Sequence, residues 1–263
     1  NFNANNGSLL NRTITPVSIG NHLWNVTCVD ETGNTNTSIT RNFTIQDLPP
    51  TVDLITVNNS FSNTGNITLI YNATDNNGFL QSQLILNNQI NQTNQSAILN
   101  GQYNNFSLTN LAEGIYTWNV NVTDTSGLNA TNSSRTFTID KTLPSIALNL
   151  PANNTISNSS TVNFNFTVLD NIDTSLTCNL AVGERQDSSF AAANGSLTNR
   201  QITSFTDGGR YWNVTCTDDA GNTNMSEIRF VNITEKPLIA LNTANNSFFN
   251  YSSFNLSYTP SDN

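Results

Sequence analysis

Three kinds of side chain in this sequence could do chemistry, and their spacing supports each to a different degree. Asp47, Asp75, Asp140 and Asp170, with further aspartates at Asp30, Asp124 and Asp218, could gather around a hard cation, which takes oxygen ligands. No dense Asp-x-Asp-x-Asp run accompanies them. Solvated turn aspartates are therefore the plainer reading; Asp47, Asp140 and Asp170 stand as weak calcium candidates, and no metal is assigned. His22 is the sole histidine and lies beside an alternating apolar segment, so a surface or edge position is expected rather than a base or ligand. Catalysis needs convergent titratable groups, and no Cys-x-x-Cys, His-Glu-x-x-His, phosphate loop or Gly-x-Ser-x-Gly is present. Asp124-Thr-Ser-Gly127 echoes an aspartic-protease triplet but falls in a repeated turn. The sequence predicts neither an enzyme nor a cofactor.

The third kind is the asparagine acceptor. Asn-x-Ser/Thr sequons number about two dozen, and in a secreted protein such sites are surface acceptors for glycans. Part of the excess follows from strands that alternate Asn and Thr on one outer face. Asn25, Asn42, Asn121, Asn213 and Asn232 point outward by that alternation; Asn6, Asn58, Asn153, Asn194 and Asn245 fall at turns or joints, and Asn66 is a further candidate. These eleven are the expected glycosylation sites. A coat of covalent N-glycans would also keep wet a chain in which only 10% of 263 residues are charged, against about 25% in ordinary soluble domains.

Nine Lys+Arg stand against eighteen Asp+Glu, a formal charge of -9, and lysine occurs only at Lys141 and Lys236. A nucleic-acid binder carries a basic stripe, so neither nucleic acid nor an anionic membrane surface is an expected partner. No stretch reaches the roughly 20 apolar residues of a membrane helix, and none is expected to insert. Disorder is disfavoured, because 14 Phe, 6 Tyr, 3 Trp and many β-branched residues suit half-buried strands.

The elements that position these groups follow from an internal repeat. Trp24, Trp118 and Trp212 are 94 residues apart and each is followed by Asn-Val. Alternation places Trp212, Val214 and Cys216 on one face and Asn213 and Thr215 on the other, a strand with one buried side. Asp-x-x-Gly follows each time, at Asp30–Gly33, Asp124–Gly127 and Asp218–Gly221, which reads as a hairpin with an aspartate cap and a glycine of positive φ. A return strand is expected at 41–45, 135–139 and 229–233, and Pro-bearing joints at Leu48-Pro49-Pro50, Leu143-Pro144 and Lys236-Pro237 close each unit. Alternating strands then restart at 145–150 and 162–168.

Asn6-Gly-Ser-Leu-Leu-Asn-Arg12 matches Asn194-Gly-Ser-Leu-Thr-Asn-Arg200, and Asp262-Asn263 stands where Asp170-Asn171 stands one unit earlier. The expected division is the C-terminal part of a domain at 1–47, complete domains at 48–141 and 142–235, and the first strands of another at 236–263. On this reading the chain is a window on a longer array, or a subunit whose tail completes its neighbour's head. Trp24, Trp118 and Trp212 are the expected core anchors.

The phrase Gly-x-Tyr-x-Trp-x-Val-x-Cys/Val-x-Asp-x-x-Gly-Asn, followed by x-Phe-x-Ile and Asp-x-Thr-x-Pro-x-Ile, resembles the tandem immunoglobulin-like repeats of bacterial and archaeal surface proteins, with a lean to the archaeal ones. The resemblance implies an all-β fold of tandem immunoglobulin-like β-sandwich domains in an extended array. In such a sandwich Cys178 and Cys216 can face each other across the two sheets as a disulfide; two buried free thiols are the alternative. Cys28, the repeat-mate of Cys216, would then find its partner outside this segment or in a neighbouring copy. In the middle unit Val122 and either Leu84 or Gln83 would replace the pair. The implied function is a non-enzymatic structural glycoprotein of an extracellular stalk or fibre, at the cell surface, whose partners are head-to-tail copies of itself or the rest of a longer repeat chain. An adhesin or carbohydrate-binding module is the alternative.

Overall fold

The structure, a computed structural model, describes residues 3–4, 7–234, 238–242 and 256–261. All regular secondary structure among them is β-strand. β1 (Gly20–Trp24), β2 (Thr27–Val29), β3 (Thr35–Thr37) and β4 (Arg41–Ile45) come first. Nine strands follow: β5 (Thr51–Leu54), β6 (Ser60–Ser62), β7 (Ile67–Thr74), β8 (Phe79–Leu86), β9 (Gln89–Asn94), β10 (Tyr103–Leu108), β11 (Gly114–Asp124), β12 (Asn129–Thr131) and β13 (Arg135–Ile139). The next nine are β14 (Ser145–Leu150), β15 (Thr155–Ser157), β16 (Val162–Leu169), β17 (Ser175–Val182), β18 (Arg185–Ala193), β19 (Leu197–Ile202), β20 (Gly208–Thr217), β21 (Thr223–Met225) and β22 (Arg229–Ile233). β23 (Leu238–Leu241) and β24 (Tyr258–Ser261) end the described chain as an antiparallel pair.

The two runs of nine have the same wiring. β10-β7-β5 form one sheet and β6-β13-β11-β8-β9 a second, with β12 paired to β11; β19-β16-β14 and β15-β22-β20-β17-β18, with β21 on β20, repeat that order strand for strand. In each run the short early strand, β6 or β15, pairs in parallel with the last one, β13 or β22. By spatial proximity the chain forms two compact units. One holds Asn1–Asn58, Thr68–Ser107 and Thr117–Thr136, and the other holds Asn59–Ile67, Leu108–Tyr116 and Phe137–Asn263.

Within the second unit, β14–β22 enclose one core. Val162, Phe164, Phe166 and Val168 of β16 are buried, and so are Leu176, Cys178, Leu180 and Val182 of β17 and Trp212, Val214 and Cys216 of β20. Every second residue points inward, as a pleated strand requires. Trp212 is 1% exposed and stands edge-on to Phe164, with ring centroids 5.0 Å apart. Trp118 is likewise 1% exposed, and both indole Nε1 groups are buried without an acceptor. An orphaned donor costs about 1–3 kcal/mol, whereas removing about 200 Å² of indole from water contributes about 5 kcal/mol, so burial wins at both positions.

The hairpins close through their aspartates. Gly33, Gly127 and Gly221 have φ of 90°, 89° and 87°, a region in which a Cβ is strained. Each Gly N–H donates to the carbonyl of the preceding Asp30, Asp124 or Asp218. The return strand arrives in two pieces. β21 pairs with Thr215–Thr217, and β22 then pairs with Gly208–Trp212. The long Trp-bearing strand is thus covered by two short partners.

The β1–β4 segment departs from expectation. Trp24 is 45% exposed and no core anchor here, because β1 pairs only with β4, and β2 only with β3, in two-stranded sheets with no opposing layer among the described residues. The same openness leaves Cys28 exposed rather than inward-facing.

Candidate metal centre

β13 ends at Ile139, and the next residue, Asp140, meets carboxylates from two loops of the strands that follow it. The β16–β17 loop carries Asp170 and Asp173; the β20–β21 hairpin carries Asp218. Asp140, Asp173 and Asp218 are all buried, and each brings a carboxylate oxygen within 4.8 Å of the other two. Main-chain and amide donors fix them in place. Thr142 N donates to Asp140 Oδ1 (3.1 Å), Asp219 N to Asp173 Oδ2 (2.9 Å), and Asn222 N to Asp218 Oδ1 (2.7 Å). Asn222 Nδ2 donates to both Asp218 Oδ2 (2.8 Å) and the Asp140 carbonyl (2.9 Å), tying the link to the hairpin. Asp170 Oδ1 accepts from the amides of Ile172 and Asp173, each at 2.9 Å.

Two oxygens in this group receive nothing. Asp140 Oδ2 and Asp170 Oδ2 are buried without a hydrogen-bond partner, and Asp140 is 0% exposed. Among the described residues neither Lys nor Arg forms an ion pair with any of these aspartates. At about 5 Å and an effective dielectric near 20, two carboxylates repel by about 3 kcal/mol. Burial, reinforced by the charges of Asp170, Asp218 and Asp173 and opposed by the Thr142 amide, pushes Asp140 up to about 6. Burial also raises Asp173.

A second trio occupies the corresponding place one repeat earlier. Asp47 lies in the link before β5, Asp75 in the β7–β8 loop and Asp124 at the end of β11, again with oxygens within 4.8 Å of one another. Asn77 organises it: its N–H donates to Asp75 Oδ1 (2.7 Å), and its Nδ2 to Asp47 Oδ2 (3.0 Å) and Ser126 Oγ (2.9 Å). Ser126 N and Leu128 N both donate to Asp124 Oδ1 at 2.9 Å. Asp47 Oδ1, Asp75 Oδ2 and Asp124 Oδ2 are buried and unpartnered, and Asp124 is 0% exposed. The structure thus brings Asp47 and Asp140 into trios and sets Asp170 beside the second. Asp173 was not anticipated, although Asp170-x-x-Asp173 places two carboxylates on one tight loop.

Residues 100–195 match the family described as Bacterial Ig-like domain (group 3). The fold is a tandem of immunoglobulin-like β-sandwiches. The matched stretch runs from just before β10 to just after β18, so it straddles the two nine-strand runs. No curated protein sequence matches the chain. Among solved structures, the fibronectin(III)-like modules of Clostridium thermocellum CbhA align at 14% identity and TM-score 0.45, over 71% of this chain and 94% of that one. The ICAM-5 D1–D4 ectodomain fragment aligns at 13% identity and TM-score 0.45, over 86% and 65%. The chicken CNTN1 FN1–FN3 domains align at 10% identity and TM-score 0.37, over 81% and 78%.

The second sandwich carries the disulfide. Cys178 and Cys216 are bonded, but within one sheet rather than across two: they are opposite residues on adjacent strands β17 and β20, with Cα atoms 4.1 Å apart. Adjacent strands place directly opposed residues closer than facing sheets about 10 Å apart can. The corresponding pair in the first sandwich is Val122 and Ser82, not Leu84 or Gln83. There the buried Tyr71 hydroxyl donates to Ser82 Oγ at 2.7 Å, where the second sandwich has Phe166 and its disulfide. Burial raises the Tyr71 phenol, against the bond to Ser82.

The sequons divide by exposure. Asn25, Asn42, Asn58, Asn66 and Asn153 are exposed, and Asn121, Asn194, Asn213 and Asn232 are half-buried. Asn6 and Asn245 lie outside the described residues, as does the joint at Lys236-Pro237. Asn194 Nδ2 already donates to the carbonyls of Asp170 (2.7 Å) and Asp173 (2.6 Å), so this amide braces the acidic loop. His22 is half-buried, with Nε2 2.6 Å from the Ser18 carbonyl and its ring stacked on Phe43. The cluster of Arg185, Arg200 and Arg210 on Phe190 and Phe205 is likewise bracing: Arg185 donates to the carbonyls of Thr203 and Ser204, Arg200 pairs with Asp187, and Arg210 donates to Gly208.

Proposed function

We propose that this chain is a non-enzymatic structural segment of an extracellular, cell-surface glycoprotein, a repeat stretch of a stalk or fibre. The observation that carries this reading is the repetition itself: one nine-strand plan is laid down twice, with a buried tryptophan at the same place in each copy. A duplicated module multiplies length and surface and does not converge residues on one cleft. The intramolecular disulfide supports an oxidising compartment. Exposed acceptors at Asn25, Asn42, Asn58, Asn66 and Asn153 support a sugared surface. Assembly of copies head to tail, each completing a neighbour's sandwich, is the finer form of the proposal; the open faces of β1 and β4, which expose Leu23, Trp24 and Phe43, support it.

Glycopeptide mass mapping and negative-stain micrographs of native material test the reading together. Hexose-bearing masses at several of the exposed sequons and elongated particles are expected. Bare peptides at all of them, in compact particles lacking any repeat, would overturn it.

A further inference from the structure

We infer that each acidic trio is a calcium site, one formed by Asp47, Asp75 and Asp124 and the other by Asp140, Asp173 and Asp218, with Asp170 adjoining the second. Three carboxylate oxygens within 4.8 Å of one another match the span of two Ca–O bonds of about 2.4 Å meeting at one ion. The clusters alone would be ordinary surface acid. What points to a ligand is that Asp124 and Asp140, both fully buried members of the trios, each carry an Oδ2 without a hydrogen-bond partner. Asp47 Oδ1, Asp75 Oδ2 and Asp170 Oδ2 are also buried and unpartnered. Native folds rarely leave such oxygens without a donor, and here five fall in the same two places. The other oxygens of each trio are held by amides of Asn77, Ser126 and Leu128 or of Thr142, Asp219 and Asn222. Those bonds orient the carboxylates and leave Asp47 Oδ1, Asp75 Oδ2, Asp124 Oδ2 and Asp140 Oδ2 without a donor, while both Asp218 oxygens accept from Asn222.

The donor chemistry selects the ion. An all-oxygen set excludes a preference for zinc or copper, which favour nitrogen and sulfur ligands. Magnesium keeps most of its water and uses one or two carboxylates, whereas calcium accepts several at once with irregular geometry. A calcium ion would neutralise most of the charge of each trio. It would also join the link residue, Asp47 or Asp140, to the loop and hairpin of the sandwich that follows it.

The test uses the full oxidised chain, stripped with EDTA and dialysed against calcium or magnesium chloride up to about 5 mM. Bound metal is counted by atomic emission, and thermal unfolding is followed alongside. Two calcium ions per chain and a melting temperature raised by several degrees are expected, with a smaller effect of magnesium. Asp124→Asn and Asp140→Asn should each bind one ion fewer, and the double variant none. In EDTA both variants should melt no lower than the parent, since each removes one repelling charge and keeps the shape; a loss of folding is thereby told apart from a loss of binding. No bound calcium in the folded parent, two ions retained in both single variants, or an equal response to magnesium would overturn the assignment.

Discussion

Asp30, Asp124 and Asp218 occupy the same hairpin position in three copies, yet their environments set them to different tasks. Asp30 is exposed, and every oxygen it has is used: Oδ1 accepts from Thr32 N (2.9 Å) and Asn34 N (2.8 Å), and Oδ2 from Asn34 Nδ2 (2.9 Å). Its carboxyl is lowered to about 2, chiefly by the side-chain bond from Asn34 and then that from Thr32. The charged form is therefore the one favoured by folding. Its contribution to the hairpin is fully present above the ordinary value of 3.8 and disappears as pH falls through about 2. A carboxyl-carbon NMR titration should place the Asp30 midpoint near 2, and Asn34→Ala should move it back toward 3.8. A midpoint already at 3.8 in the parent would contradict the capping geometry. Asp124 makes the opposite case, since its Oδ2 is buried with no donor. Sequence identified all three as turn caps. It did not distinguish them, because the difference comes from Asp47, Asp75 and Asn77, residues distant in the chain.

Among the strands, alternation was enough to locate most elements. Ser145–Leu150 and Val162–Leu169 are strands, and the return strands Arg41–Ile45, Arg135–Ile139 and Arg229–Ile233 fall where the repeat put them. Lateral order was not legible. Alternation says which side of a strand is buried but not which strand lies beside it, so Cys178 and Cys216 were expected across the core and are neighbours within one sheet. The same limit hid Ser82 as the counterpart of Cys178. The disulfide closes a loop with a sequence separation of 38, worth about 4 kcal/mol in the chain-entropy model. Both sulfurs are in the core, so the pair Cys178→Ala and Cys216→Val should lower stability by about 2–5 kcal/mol, read as a reduced urea midpoint for the β14–β22 sandwich. An unchanged midpoint would show that packing alone holds β17 to β20.

Over the whole molecule, one module accounts for most of what was read from the chain. The period of 94 residues gave the fold class, and the structure shows the same strand order twice. The repeat alone made Trp24 a core anchor, because it records what a strand is built to face and not whether a covering sheet lies among the described residues. The central claim is that Trp118 and Trp212 are equivalent parts of a duplicated sandwich, both sealed from water, while Trp24 is open. Chains of all 263 residues keeping one tryptophan, with Phe at the other two positions, test this through fluorescence and iodide quenching. Trp118 and Trp212 should emit at the same short wavelength and resist quenching equally, and Trp24 should emit as a wetted indole that iodide reaches readily. Emission or quenching that separates Trp118 from Trp212, or that groups either with Trp24, would contradict the account.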